Sequence, residues 1–175
     1  MFQIHMSNKD KANVIIQLAK KYELKTFCET GTYEGAMLAA CLPHFDELLS
    51  VELDEKLYTD VKLRFLNEPK VHVYQGDSAE KLAEMLNLVT KPSLIWADAH
   101  YSGEGTAKGN SPIIQELFAV YKYGMEGSVI LIDDAREFSF QPDYPSLATV
   151  INIAGSLFQT SKIGVVGDII MVVPR

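Results

Sequence analysis

The chain has 175 residues, of which 47% are hydrophobic and 22% charged, and this is typical of one globular domain over residues 1–175. The formal net charge of −7 argues against nucleic acid as a partner, because an acidic surface repels phosphate. No apolar run approaches the roughly 20 residues of a membrane span, and the first ten residues lack signal-peptide architecture, so we expect a cytoplasmic protein that does not bind membranes.

The first half of the chain predicts one helix followed by alternating strands and helices. Ser7-x-x-Asp10 resembles a capping box, and apolar residues at helical spacing extend this helix to about Lys21. Apolar runs predict strands at residues 25–30, 47–52 and 71–75. The helices between and after them are residues 36–42, which Pro43 stops, and two helices that begin at the capping residues Asp54 and Ser78.

The second half continues this alternation and ends in a hairpin. The predicted elements are a strand at 93–97, a glycine-rich loop at 99–110, a helix that starts at Ser111-Pro112 and ends at Gly124, a strand at 128–132, a helix at 145–154, and strands at 162–166 and 169–173. Gly167-Asp168 joins the last two strands, and a two-residue turn joins antiparallel strands only. The fold class predicted is α/β: a Rossmann-like three-layer sandwich with a mostly parallel, seven-stranded sheet and an antiparallel last strand.

An acidic residue stands at the end of every predicted parallel strand: Glu29, Glu52, Asp77, Asp98, and the pair Asp133-Asp134. The carboxyl ends of parallel strands meet at one edge of a sheet, where open α/β folds bind ligands. Carboxylates gathered there repel each other and lose hydration, so a ligand that carries a cation, hydroxyls or an amine would explain them. S-adenosylmethionine (SAM) offers a sulfonium and an ammonium, two ribose hydroxyls and the adenine amino group.

The turn after the first strand contains Gly31 and Gly35, which let the backbone approach a ligand closely. The spacing differs from the G-x-G-x-x-G of dinucleotide folds, and the chain lacks the G-x-x-x-x-G-K-[ST] phosphate loop. Glu29 and Glu34 beside these glycines would repel phosphate. The turn therefore favours a cationic ligand without phosphates.

These motifs resemble the class I SAM-dependent methyltransferases over nearly the whole chain. The resemblance implies that Glu29, Gly31 and Gly35 belong to the motif that wraps the methionine part of SAM, and that Glu52 binds the ribose hydroxyls. It implies that Asp77 and Ser78 contact the adenine. The full set of cofactor-binding residues predicted is Glu29, Gly31, Thr32, Tyr33, Gly35, Glu52, Leu53, Gly76, Asp77, Ser78 and Asp98.

A narrower resemblance is to metal-dependent O-methyltransferases of the macrocin O-methyltransferase type, which act on sugar hydroxyls. Asp98, Asp133 and Asp134 match the places of that family's metal-binding carboxylates, so the resemblance implies a Mg²⁺ that grips the acceptor. The predicted function is methyl transfer from SAM to a small-molecule hydroxyl of a sugar or diol-like acceptor. His100 is the first candidate for the general base and Asp98 the second.

Residues 99–110 are expected to cover the acceptor as a lid, and Tyr101, Arg136 and Tyr144 to border its pocket. The chain is shorter than the enzymes it resembles, so a homodimer partner could complete that pocket. Simpler interpretations remain open: the Asp133-Asp134 pair could cap the next segment, and His100 could be a hydrogen-bonded loop residue.

Two other functions stay possible on the sequence alone. A SAM-binding module without catalysis would keep the cofactor residues, although acids on both the fourth and fifth strands favour an enzyme. An NAD(P)-dependent oxidoreductase would use a similar sheet, but the missing G-x-G-x-x-G and the terminal hairpin argue against it. Cys28 and Cys41 are expected to be buried reduced thiols, and Trp96 to belong to the core.

Overall fold

The computed structural model describes residues 5–99, 111–141 and 143–175. Within these ranges the helices are α1 (Asn8–Lys21), α2 (Ala36–Cys41), α3 (Glu55–Arg64), α4 (Ser78–Leu88), α5 (Ile113–Tyr123) and α6 (Leu147–Leu157). The strands are β1 (Thr26–Thr30), β2 (Glu47–Glu52), β3 (Val71–Gln75), β4 (Ser93–Ala97), β5 (Val129–Ile132), β6 (Ser161–Val166) and β7 (Ile169–Pro174). Short 3₁₀ turns lie at Leu42–His44 and Glu137–Ser139. Within these same ranges, no helix combines the length and the apolar character needed to cross a membrane.

All seven strands of the described ranges form one sheet in the order β3-β2-β1-β4-β5-β7-β6. Strands β1 to β5 are parallel, β7 is antiparallel to β5, and β6 is antiparallel to β7. This confirms the predicted α/β class, the mostly parallel sheet and the reversed last strand. The strand order changes direction between β1 and β4, and in open sheets of this kind a crevice forms beyond the carboxyl ends of those strands.

Of the six helices in the described ranges, three pack on each face of the sheet. Strand residues alternate between the faces, so Phe27 packs with α1, α2 and α3, while its neighbour Cys28 packs with α4, α5 and α6. Trp96 is fully buried in the first of these layers, and Cys28 and Cys41 are buried free thiols. The predictions for these three residues are confirmed.

The helix caps were predicted correctly at two positions and wrongly at two others. The Ser7 hydroxyl accepts the Asp10 N–H at 3.2 Å, and the Asp54 carboxylate accepts the Leu57 N–H at 2.8 Å. Ser78 is not a cap, because the extended residue Asp77 before it accepts the Ala79 N–H at 3.0 Å.

The start of α5 also differs from its prediction. Pro112 holds the capping position, so the helix begins one residue later, at Ile113. The Ser111 N–H donates to the Asp143 carbonyl at 2.9 Å, which ties this residue to the segment after β5. The proline has no side-chain oxygen with which to cap the helix.

Candidate functional site

The glycine turn after β1 forms the floor of the candidate site. Gly31 has φ +78°, and a Cβ atom there would stand 2.5 Å from the Asp98 carbonyl oxygen. Gly35 has φ +73°, and its Cβ would stand 2.9 Å from Cε2 of Phe65. Both contacts are closer than carbon side chains tolerate, and positive φ disfavours other residues. Glycine therefore lets the turn lie directly against the end of β4 at Gly31 and against the end of α3 at Gly35.

Glu52, at the end of β2, fixes the shape of this turn. Its carboxylate accepts the Tyr33 N–H at 2.7 Å and the Asp54 N–H at 3.0 Å, one on each oxygen, and the residue is only 4% exposed. Tyr33 has a positive φ of 49° and is half exposed, so the charged hydrogen bond stabilises an unfavourable backbone conformation. Glu52 thus has a structural role that the sequence did not predict, and its role toward ribose stays a prediction.

A buried chain of side-chain hydrogen bonds links β1, β2 and the glycine turn. The Ser50 hydroxyl donates to the Glu29 carboxylate at 2.6 Å, and the Thr32 and Ser50 hydroxyls lie 2.6 Å apart. Burial raises the pKa of Glu29 well above its ordinary value, the Ser50 hydrogen bond opposes this, and the charges of Asp98 and Glu52 add to it. Any cation that binds beside Glu29 would favour its ionised form.

The turn after β3 stands beside the turn that Glu52 organises. The Gly76 backbone N–H donates to the Glu52 backbone carbonyl at 2.9 Å, and the side-chain amide of Gln75 donates to the Leu53 carbonyl at 3.1 Å. Asp77 and Ser78 follow directly, with Ser78 buried at the first turn of α4. The structure therefore brings together the predicted cofactor residues from the ends of three neighbouring strands.

Asp98, Asp133 and Asp134 form a second group at the same edge of the sheet. One carboxylate oxygen from each lies within 4.8 Å of the others. The Trp96 indole N–H donates to Asp98 at 3.3 Å, and the Asp134 N–H donates to Asp133 at 2.7 Å. The predicted meeting of the fourth- and fifth-strand acids is confirmed.

Lys11 of α1 reaches into this group. Its Nζ donates to Asp133 at 2.7 Å and to Asp134 at 3.0 Å, and both Lys11 and Asp133 are buried, at 4% and 3% exposure. Burial lowers the pKa of Lys11, but Asp133 and Asp134 more than offset it, so the net shift is upward and the ammonium is favoured. Arg136 also pairs with Asp134 at 2.8 Å and with the buried Asp168.

Lys11 was not among the predicted site residues, although its position in the sequence carries a signal. Lys11 lies four residues before Ile15 and eight before Ala19, so it belongs to the buried stripe of α1. A lysine on such a stripe needs an acidic partner, since an unpaired buried charge is costly.

The oxygen atoms of the three carboxylates suit Mg²⁺, but the positively charged side chains beside them do not. Oxygen donors are what Mg²⁺ prefers, and three of them converge here. However, the Lys11 ammonium already contacts two of the three carboxylates, and a guanidinium contacts one of them. A metal ion bound by the same oxygens would stand next to a buried like charge. The residues as arranged therefore do not fit the predicted Mg²⁺.

The predicted acceptor residues are described only in part. His100 and Tyr101 lie outside the described residues, as does most of the predicted lid. Tyr144 packs edge-on against Phe138, with 5.2 Å between ring centroids. Burial raises the pKa of Tyr144, and the charges of Asp134, Glu137 and Asp98 raise it further. An open cavity of about 610 Å³ beside it is lined by Phe138, Gln141, Tyr144, Ser146, Leu147, Ala148 and Ile151.

Several solved structures that share this fold are described as methyltransferases. A Staphylococcus aureus protein provisionally named a caffeoyl-CoA O-methyltransferase superposes with a TM-score of 0.71 at 15% identity, covering 98% of this chain and 86% of that chain. An O-methyltransferase from Bacillus cereus in complex with SAH (S-adenosylhomocysteine) gives a TM-score of 0.69 at 17% identity, covering 98% and 83%. The N-methyltransferase NodS from Bradyrhizobium japonicum gives 0.62 at 15% identity, covering 95% and 96%.

At these identities the likeness shows the shared fold, and function has to be argued from the site. No family model matches the sequence, and a search of curated proteins finds no match.

Proposed function

We propose that this chain is a SAM-dependent methyltransferase that transfers a methyl group to the hydroxyl of a small molecule. The observation that carries the proposal is the glycine turn, which closes against β4 and is bordered by buried carboxylates in place of phosphate-binding groups. The shared fold with methyltransferases, one of them in complex with SAH, supports the same conclusion.

The residues at the ends of β1, β2 and β3 would hold SAM. The Glu29 carboxylate accepts the Ser50 hydroxyl, which also pairs with the hydroxyl of Thr32 in the glycine turn. From there the carboxylate would complement the positive charge of the methionine part. Each oxygen of Glu52 accepts one backbone N–H and keeps lone pairs that the ribose hydroxyls could use. Gly76, Asp77 and Ser78 border the adenine end. We propose that further contacts to SAM come from Gly31, Thr32, Tyr33, Gly35, Leu53 and Asp98.

SAM, when bound, would supply a methyl group on its sulfonium: attack of the acceptor oxygen on that methyl carbon would break the carbon–sulfur bond and release SAH. The protein has to orient the acceptor and accept its hydroxyl proton. Among the described residues, Asp98 is the proposed base, because its carboxylate stands at the end of β4 beside the switch in strand order. Tyr144 and Arg136 border the proposed acceptor side, and a sugar or diol hydroxyl is the acceptor class proposed.

Calorimetric titration with SAM, SAH and NAD tests the cofactor. We expect SAM and SAH to bind and NAD not to bind. Binding of NAD without binding of either SAM compound would point to an oxidoreductase and end the proposal. SAM binding without turnover across a panel of hydroxyl-bearing small molecules would instead favour the non-catalytic binding module.

A variant of Glu52 tests the cofactor's position. Glu52→Ala should weaken SAM binding by roughly 1–3 kcal/mol, the range for hydrogen bonds to charged groups. Glu55→Ala is the matched control, because Glu55 is exposed in the first turn of α3, three residues away. Circular dichroism must show that the variant keeps its fold, since Glu52 also holds two backbone N–H groups. Equal SAM affinities for the folded variant, the control and the wild type would mean that the proposed position is wrong.

A further inference from the structure

We propose that the Lys11 ammonium is the resident cation of the Asp98–Asp133–Asp134 group and keeps divalent metal out of it. The inference deepens the proposed function and rests on it in one respect: methyl transfer at this site would need no metal.

Helix α1 places Lys11 next to the end of β5, although the two are far apart in the sequence. Lys11 is on the first turn of α1, on the same stripe as the buried Ala12, Ile15 and Ala19. This stripe packs against the sheet through the core layer of α1, α2 and α3. The side chain is therefore held inside the protein, and its Nζ meets Asp133 at 2.7 Å and Asp134 at 3.0 Å.

The lysine contacts two of the three carboxylates that a metal in this group would use. The oxygens that it contacts belong to two of the three carboxylates whose ligand atoms converge within 4.8 Å. A divalent ion that shared these oxygens would be close to the ammonium in a buried setting, where like charges repel strongly. Arg136 adds a second positive charge on Asp134 at 2.8 Å, so the residues that the structure describes already supply this group with two cationic partners.

A fixed ammonium changes which acceptor molecules the site can bind. A metal selects an acceptor with two oxygens, because it gains from binding both. Where a lysine holds the carboxylates, the acceptor is oriented by direct hydrogen bonds to the protein, and a single hydroxyl is sufficient. The proposal therefore widens the acceptor class from chelating diols to molecules with one reactive hydroxyl.

Titration with Mn²⁺, followed by calorimetry and electron paramagnetic resonance, tests this inference without reference to activity. The proteins are the wild type, Lys11→Met, which keeps most of the length of the side chain without its charge, and Lys9→Met as the control on the exposed side of α1. We expect the wild type and Lys9→Met to bind Mn²⁺ no better than millimolar. Lys11→Met should bind about 10-fold tighter or more, because Asp133 and Asp134 lose the positive charge of Lys11.

Micromolar binding of Mn²⁺ by the wild type would overturn the proposal. A folded Lys11→Met without any gain in affinity would also overturn it, since something other than Lys11 would then exclude the metal. If Lys11→Met does not fold, the comparison of wild type with Lys11→Arg decides: both should reject Mn²⁺, and binding by either contradicts the inference. SAH titrated into the same samples tests the proposed function separately, because its binding does not depend on the metal result.

Discussion

Replacing Gly31 by alanine should destabilise the protein by about 2–5 kcal/mol. The φ of +78° places the residue in the left-handed region, which costs an alanine roughly 1–2 kcal/mol. The new Cβ would stand 2.5 Å from the Asp98 carbonyl oxygen and 2.8 Å from its carbon. These are backbone atoms, so the clash is relieved only by moving the end of β4, and such rearrangements cost about 1–3 kcal/mol.

Urea denaturation gives the stability, and calorimetry with SAH on the same variant gives the functional consequence. The turn and the end of β4 form the floor of the proposed cofactor site, so any movement that relieves the clash should also weaken SAH binding. A Gly31→Ala protein with a free energy of unfolding within about 1 kcal/mol of the wild type, well below the predicted minimum loss of about 2 kcal/mol, would refute the reasoning.

Gly164→Ala is the control for this prediction. Gly164 lies in β6, and a Cβ there would meet nothing within 4 Å. Alanine should change stability by no more than about 0.5–1 kcal/mol, in the stabilising direction, because it restricts the unfolded chain. If the two variants lost stability equally, the effect at Gly31 would not come from its contact with Asp98.

Two further predictions concern buried titratable groups. Burial raises the pKa of Glu29 in the folded state above its ordinary value. At pH values between the ordinary pKa and the raised pKa, the folded state binds more protons than the unfolded state, so the stability contributed by Glu29 falls as the pH rises. Glu29→Gln removes this dependence, and urea unfolding should show the wild type losing stability relative to the variant between pH 5 and pH 8; a relative gain would contradict the assignment. The thiols of Cys28 and Cys41 are fully buried, and burial raises the pKa of Cys28 to about 12 and that of Cys41 higher still. A thiol reagent such as DTNB should therefore label neither in the native protein and both after unfolding in urea, and native labelling at a comparable rate would show that the core is open.

Much of the candidate site followed from local sequence, for a physical reason. Alternating strands and helices produce a parallel sheet, and parallel strands place their carboxyl ends at one edge. Acids that follow the parallel strands therefore collect at this edge, whatever their separation along the chain. Glu52 and Asp98 could be placed in one site on this argument, and the structure confirms it for the fourth- and fifth-strand acids.

Helix termini were less predictable, because adjacent residues compete for one capping position. Asp77 and Ser78 can both accept a backbone N–H, and only the backbone path out of β3 decides between them. At Ser111, a hydrogen bond to the distant Asp143 sets the backbone before α5.

The sequence by itself determined the order of the elements, the direction of the strands and the edge at which the acids collect, since these depend on local periodicity and on how a chain must connect parallel strands. Only the tertiary structure decided what those acids contact. Lys11 meets Asp133 across 122 residues of sequence because α1 packs on one particular face of the sheet at one particular rotation. That rotation is set by the packing of many side chains together, and no local pattern contains it.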